Sequence, residues 1–171
     1  MEKGYVQIYT GNGKGKTTAA MGLALRAVCA GGKVIMIQFI KGMEYSELSA
    51  SKFLPNFEIE QYGRDCFITK EPERDDFECA LRGFERLKEV IASGEYDIVI
   101  ADEINIALFY NLIPFAEVLD MVNNKPENIE LILTGRYAKK EIIDIADLVT
   151  DMQEIKHYYY DGVEARKGIE I

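Results

Sequence analysis

The chain has no tryptophan, one histidine, three cysteines, and fewer lysines and arginines (20) than aspartates and glutamates (29). Each shortage closes off a class of protein. With a lone histidine, His157, no base–nucleophile pair is evident. Cys29, Cys66 and Cys79 lack the paired spacing of a zinc site, and an odd number suits no closed disulfide framework. A reducing cytoplasm is the expected setting. The formal charge of −9 argues against broad binding to nucleic acid or to an anionic membrane, since either needs a basic face. No apolar run approaches the length of a membrane span, and the first strand is expected within about five residues of the start, leaving no room for a signal peptide. Repeats, low-complexity stretches and linkers are also missing. The 171 residues suffice for one α/β domain with a full core, spanning residues 1–171, and not for two of ordinary size.

What is present is concentrated near the start. The stretch Gly11-Asn12-Gly13-Lys14-Gly15-Lys16-Thr17-Thr18 follows the alternating run Tyr5 to Tyr9 and opens into a helical pattern from Lys16 to Ala30. Three glycines at alternate positions bare backbone N–H groups, Lys16 adds a charge, and Thr17 adds a hydroxyl beside the positive end of a helix. The usual phosphate-loop pattern has a glycine five residues before the Gly-Lys pair, and Thr10 stands there instead. The strict pattern fails by one residue, while its strand–loop–helix context is met. A turn that uses glycine for geometry alone is the plain alternative; Gly-Lys-Thr-Thr favours a nucleoside triphosphate site, with Lys14, Lys16 and Lys41 as the local charge.

Further along, strands are expected at 33–40, 57–62, 97–101, 130–133 and 148–155; 33–40 is nearly all apolar, as in a parallel strand buried on both faces, and 57–62 alternates. Helices are expected at 17–30, 45–53, 73–93, 105–112, 115–122 and 139–146. In the long helix 73–93 the inward stripe is Phe77, Leu81, Phe84, Leu87, Val90 and Ile91; in 139–146 it is Ile142, Ile143 and Ile145. The segment 63–71 reads as a loop on the functional edge. This alternation makes an α/β fold, a doubly wound, mainly parallel sheet with helices on both faces, of the phosphate-loop NTPase (RecA-like) type. Ligands of such sheets gather at the carboxyl ends of the strands, which here carry Gln38, Lys41 and Gly42, then Asp102 and Glu103, then Thr134-Gly135-Arg136. Asp102 or Glu103 is placed to hold Mg²⁺ opposite Thr17, the alternative being carboxylates that cap the next helix. Arg136 is placed to meet phosphate charge or to form a surface ion pair. His157, beside three tyrosines, is more typical of packing than of catalysis.

Taken in order, Thr-Gly-Asn-Gly-Lys-Gly-Lys-Thr-Thr-Ala-Ala (10 to 20), Gln-Phe-Ile-Lys-Gly (38 to 42), Asp-Glu-Ile-Asn-x-Ala-Leu (102 to 108), Leu-Thr-Gly-Arg (133 to 136), Lys-His (156 to 157) and Ala-x-x-Gly-Ile-Glu (165 to 170) resemble the phosphate-loop ATP:corrinoid adenosyltransferases. The resemblance implies that Co(I) of a reduced corrinoid attacks the ribose C5′ of ATP and triphosphate departs. It implies ATP as co-substrate, Mg²⁺ (or Mn²⁺), a flavoprotein electron donor and a homodimer. It implies binding roles for Gly11, Asn12, Gly13, Lys14, Gly15, Lys16, Thr17, Thr18, Lys41, Phe67 and His157. Lys16, Glu103 and Arg136 would act on the leaving group, and Thr17, Asp102 and Glu103 would hold the metal. Phe67, Phe109, Tyr110 and the tyrosines near His157 are the available wall for the corrinoid. Two features depart from the family: the first strand comes without a long covering segment ahead of it, and 65–68 keep one aromatic, Phe67, where a pair including tryptophan is common. A phosphate-loop NTPase or small-molecule kinase, and a non-catalytic ATP-binding regulatory module, are the competing readings.

Overall fold

The structure, a computed structural model, describes residues 2–64 and 71–171. In chain order the elements are β1 (Val6–Thr10), α1 (Lys16–Cys29), β2 (Val34–Phe39), a 3-10 stretch (Ser46–Lys52), β3 (Phe57–Tyr62), α2 (Arg74–Ser93), β4 (Ile98–Asp102), α3 (Ile104–Phe109), α4 (Phe115–Asn123), β5 (Glu130–Thr134), α5 (Lys140–Ile143), β6 (Leu148–Asp151) and a second 3-10 stretch (Tyr158–Asp161). The six strands form one sheet in the order β3-β2-β4-β5-β1-β6, and every pairing is parallel. Among the described residues no helix is long and apolar enough to cross a membrane.

The sheet is covered on both faces, and strand residues alternate between them. On one face Ala20 and Ala24 of α1 pack on Val34, Met36, Ile98, Ile100 and Ile132, with Ala50 and Leu54 beside Phe57. On the other, α2, α3, α4 and α5 bury Phe84, Leu87, Leu108, Val118 and Ile142 against Ile8, Ile35, Ile37, Val99, Ala101, Leu131 and Leu133. Central β2, β4 and β5 are buried along their whole length, which is why they are apolar apart from Gln38, Asp102, Glu130 and Thr134.

Helix α2 starts at a capping box between Glu73 and Asp76 and stops at Gly94 in the left-handed region. Its inward stripe departs from expectation: Phe77 and Leu81 are exposed, while Ala80 and Gly83 are buried. The helix lies so close to the sheet there that a Cβ on Gly83 would sit 2.8 Å from Tyr62 Cβ and 3.2 Å from Phe39 Cε1. Glycine alone fits this contact without a shift of its neighbours. Helix α5 has four residues rather than eight, so Ile142 is buried and Ile145 is exposed. Strand β6 ends at Asp151, four residues earlier than expected, and is exposed throughout as an edge with β1 as its partner. The short helix expected at 45–53 is the 3-10 stretch Ser46–Lys52.

Candidate functional site

Strand order decides which side chains meet. Strand β5 lies between β1, which leads into the glycine-rich loop, and β4, which ends at Asp102. The end of β5 therefore supplies a third group, Thr134, between the other two. The backbone just past three strand ends is in the left-handed region without glycine: Ile40 after β2 (φ 65°), Glu103 after β4 (φ 60°) and Tyr137 after β5 (φ 61°). Such conformations cost about 1–3 kcal/mol each, most for a β-branched residue such as Ile40, and they concentrate at functional edges.

Asp102 is the centre of the edge and is fully buried. Its Oδ1 accepts from Thr134 Oγ1 at 2.6 Å and from Thr17 Oγ1 at 2.9 Å. Its Oδ2 accepts from Lys41 Nζ at 2.8 Å and from Gln38 Nε2 at 3.1 Å. A second layer fixes the first, because Gln61 Nε2 donates to Gln38 Oε1 at 3.1 Å and Glu47 stands 3.8 Å from Lys41. Burial opposes the charge on Lys41, but the charge and hydrogen bond of Asp102 outweigh it and hold the ammonium above its ordinary pKa.

In the loop itself Lys16 is almost fully buried and its Nζ donates to the carbonyls of Gly11 (2.9 Å) and Gly13 (2.7 Å). Burial pulls its pKa down, with Glu103 opposing that shift and Arg136 reinforcing it. An incoming anion would relieve both the desolvation and the charge crowding. Gly11 has φ 94°, and a Cβ there would collide with the Asp151 side chain and the Met152 carbonyl; Gly13 N–H donates to that same carbonyl at 2.6 Å. Thus the segment after β6 is pressed onto the loop. Thr10 ends β1, and its Oγ1 accepts from Ala138 N–H at 3.3 Å, which ties the loop to the Arg136–Ala138 turn.

Lys14 points elsewhere. Its Nζ donates to Glu170 Oε1 (2.6 Å), Tyr158 OH (3.0 Å) and the Ile169 carbonyl (3.2 Å). Ser46 Oγ donates to the Ile171 carbonyl at 3.0 Å. The tail therefore runs from edge strand β6, across the loop, to the 3-10 stretch that follows β2.

A sequence model of the family described as ATP:corrinoid adenosyltransferase BtuR/CobO/CobP matches residues 2–171, the chain apart from its first residue. The chain belongs to this family. It is 37% identical to a corrinoid adenosyltransferase of Sinorhizobium sp over 99% of this chain and 81% of that protein. It is 34% identical to the corrinoid adenosyltransferase of Escherichia coli K12, and 34% to corrinoid adenosyltransferase CobA of Salmonella typhimurium, each over 99% of this chain and 86% of the relative. The chain is a transferase that acts on ATP and a corrinoid.

In this adenosyltransferase the structure brings together Lys16, Thr17, Lys41 and Asp102 from the set marked in sequence. Glu103 caps α3 with its backbone, its N–H donating to Thr134 Oγ1 at 2.9 Å. Burial and the neighbouring Asp102 both raise the Glu103 pKa, with Lys41, Lys16 and Arg136 opposing. Arg136 is exposed and lines an open cleft of about 730 Å³ with Thr10, Gly11, Asn12, Tyr137, Asp151 and Tyr160. Phe109 packs on Tyr137 at 4.4 Å and on Tyr110 at 5.3 Å, half-exposed at the same edge. His157 caps the second 3-10 stretch, its Nδ1 accepting from Tyr159 N–H at 3.0 Å. Phe67 lies outside the described residues. Sequence reasoning put Thr134 on the ligand edge without a role and did not single out Tyr137 or Asn105. Asn105 is fully buried, donates to the Gly135 carbonyl at 3.3 Å, and keeps an unpartnered Oδ1. For Thr134, a polar residue closing an apolar core strand was the available signal.

Proposed function

We propose that the chain, acting as one nucleotide-binding domain, transfers the 5′-deoxyadenosyl group of ATP to Co(I) of a reduced corrinoid and releases triphosphate. The observation that carries this reading is the meeting of Lys16, Thr17 and Asp102 at the glycine-rich loop. In the reaction the Co(I) electron pair forms the Co–C bond, the C5′–O bond breaks, and triphosphate leaves with that bond's electrons. No proton is removed, so the chemistry requires no general base.

The protein's part is to stabilise a departing polyanion and orient it. Lys16 turns from the Gly11 and Gly13 carbonyls to phosphate oxygens, and the loop N–H groups join it. Arg136 meets the outer phosphates from the cleft, and Glu103 orients that cationic side of the site. The donors Thr17 and Asp102, with Glu103 next in sequence, are hard oxygens suited to Mg²⁺ (or Mn²⁺), and the position already accepts a lysine ammonium. Such an ion supplies charge neutralisation on the leaving group. Phe109, Tyr137, Phe67 and the aromatic tail around His157 form the corrinoid wall. A flavoprotein electron donor, a homodimer and a cytoplasmic setting complete the proposal.

The test is anaerobic. Protein, ATP, Mg²⁺ and chemically reduced cobalamin are mixed, and the light-sensitive Co–C product and triphosphate are measured together. Equal amounts of both are expected; orthophosphate without a Co–C bond would overturn the proposal. Lys16→Ala should lower turnover at least ~10²-fold, as loss of one strong anion donor does elsewhere.

A further inference from the structure

The Lys41 ammonium stands where the proposed metal would stand. Its Nζ is 2.8 Å from Asp102 Oδ2 and 3.3 Å from Thr17 Oγ1, the two side chains read as the metal side of the site. Ile40, immediately before this lysine, is in the left-handed region (φ 65°), and Lys41 reaches the edge centre. A carboxylate as deeply buried as Asp102 is costly without a counter-charge. Its other donors, Thr17, Thr134 and Gln38, are neutral, so Lys41 is the cation hydrogen-bonded to it among the described residues.

We propose that Lys41 is an exchangeable counter-ion: its ammonium holds the cation position between Asp102 and Thr17 in the nucleotide-free protein and leaves it when metal and nucleotide enter. The inference rests on the reading of Thr17 and Asp102 as the metal side of the site. An ammonium and a divalent ion on one buried carboxylate repel strongly, so one must go. Lys41 has somewhere to go. Glu47 Oε1 is already 3.8 Å away, and the Tyr45 ring centroid is 5.3 Å from Nζ. Lysine suits the task because it is a flexible point charge; an arginine would grip the carboxylate with two bonds and stay.

The first test is Mn²⁺ binding to nucleotide-free protein, followed by electron paramagnetic resonance. Lys41→Gln, which keeps a donor for Asp102 and removes the charge, should tighten Mn²⁺ binding by at least about tenfold. Lys41→Arg should leave it equal or weaker. Asp102→Asn should abolish binding in both the native and the Lys41→Gln backgrounds. If Asp102→Asn leaves Mn²⁺ bound, the reading of the metal side fails and the exchange with it. If Asp102→Asn abolishes binding but Lys41→Gln does not tighten it, the exchange alone fails. A measurement on the unaltered protein needs no neutral variant: the ¹⁵N signal of the Lys41 ammonium, assigned by its loss in Lys41→Arg, should move with Mg²⁺ and ATP and not with ATP plus a chelator. A shift that is the same in both, or missing in both, overturns the proposal.

Discussion

Thr10 shows how one residue can break a motif's letter and keep its geometry. Where the strict phosphate-loop pattern asks for glycine, Thr10 closes β1 and its buried hydroxyl receives Ala138 N–H at 3.3 Å. Thr10→Gly would restore the pattern yet remove that bond and loosen the backbone, so it should lower stability by about 1–2 kcal/mol without improving ATP affinity. Urea unfolding and calorimetric titration check the two halves; tighter ATP binding would contradict this view of Thr10. Lys16, Thr17 and Asp102 were legible in sequence because each sits at a fixed offset from a strand end or helix start. The contacts of Thr134 and Lys41 with Asp102 were not, since the first depends on β5 lying beside β4 and the second on β2 lying on the other side of β4, and no local pattern encodes that order. Lys14 was read as a phosphate ligand; its contact with Glu170, 156 positions away, is equally invisible locally.

Elements were largely legible, because buried parallel strands and one-sided helices write distinct periods into the sequence. The inward stripe of α2 was misread where size and closeness compete: an apolar pattern favours Phe77 and Leu81, but the tight contact of Gly83 with Tyr62 and Phe39 favours small residues. These two effects predict opposite signs for Gly83→Ala. Helix propensity alone promises a gain of about 1 kcal/mol, whereas overpacking against β2 and β3 costs about 1–3 kcal/mol. Packing should win because the nearest atoms belong to Tyr62 Cβ and a buried Phe39 ring, and a net loss of stability in urea unfolding is expected; a stabilised variant would show that α2 can lift. The tail is a second element that sequence left unplaced. Arg166, then Lys14 and Tyr158, hold the Glu170 carboxyl far below its ordinary value of 4.5. A depressed carboxyl contributes stability above its unfolded value and loses it only as pH falls through the folded one. Tail amides should therefore keep their protection against hydrogen exchange from neutral pH down to pH values near 4.5, and lose it in stronger acid. Glu170→Gln should expose the same amides at neutral pH while global unfolding changes little; unchanged exchange in that variant would mean that the tail is held by other contacts.

At the scale of the whole molecule, the doubly wound sheet was readable from alternating buried strands and helices, and its consequence for stability follows from where the site draws its parts. Loop, Lys41, Asp102 and Thr134 come from β1, β2, β4 and β5 or the segments just after them, so unfolding any central strand dismantles the site. Nucleotide bound there should stabilise the native state as a whole rather than one loop. At a free ATP concentration about 100 times Kd, the linkage amounts to about 2.7 kcal/mol. For a chain of this length each kcal/mol moves the melting temperature by about 2–4 °C, which gives an upward shift of about 5–10 °C. Mg²⁺ with ATP should exceed ATP with a chelator, because the metal offsets the charge that Asp102 and the triphosphate bring together. Lys16→Ala should erase most of the shift at the same nucleotide concentration. Differential scanning calorimetry with affinity measured separately checks the argument: saturating ATP that leaves the melting temperature unmoved would mean that the nucleotide is held by elements outside the cooperative sheet, and the convergence of four strand ends would not be what binds it.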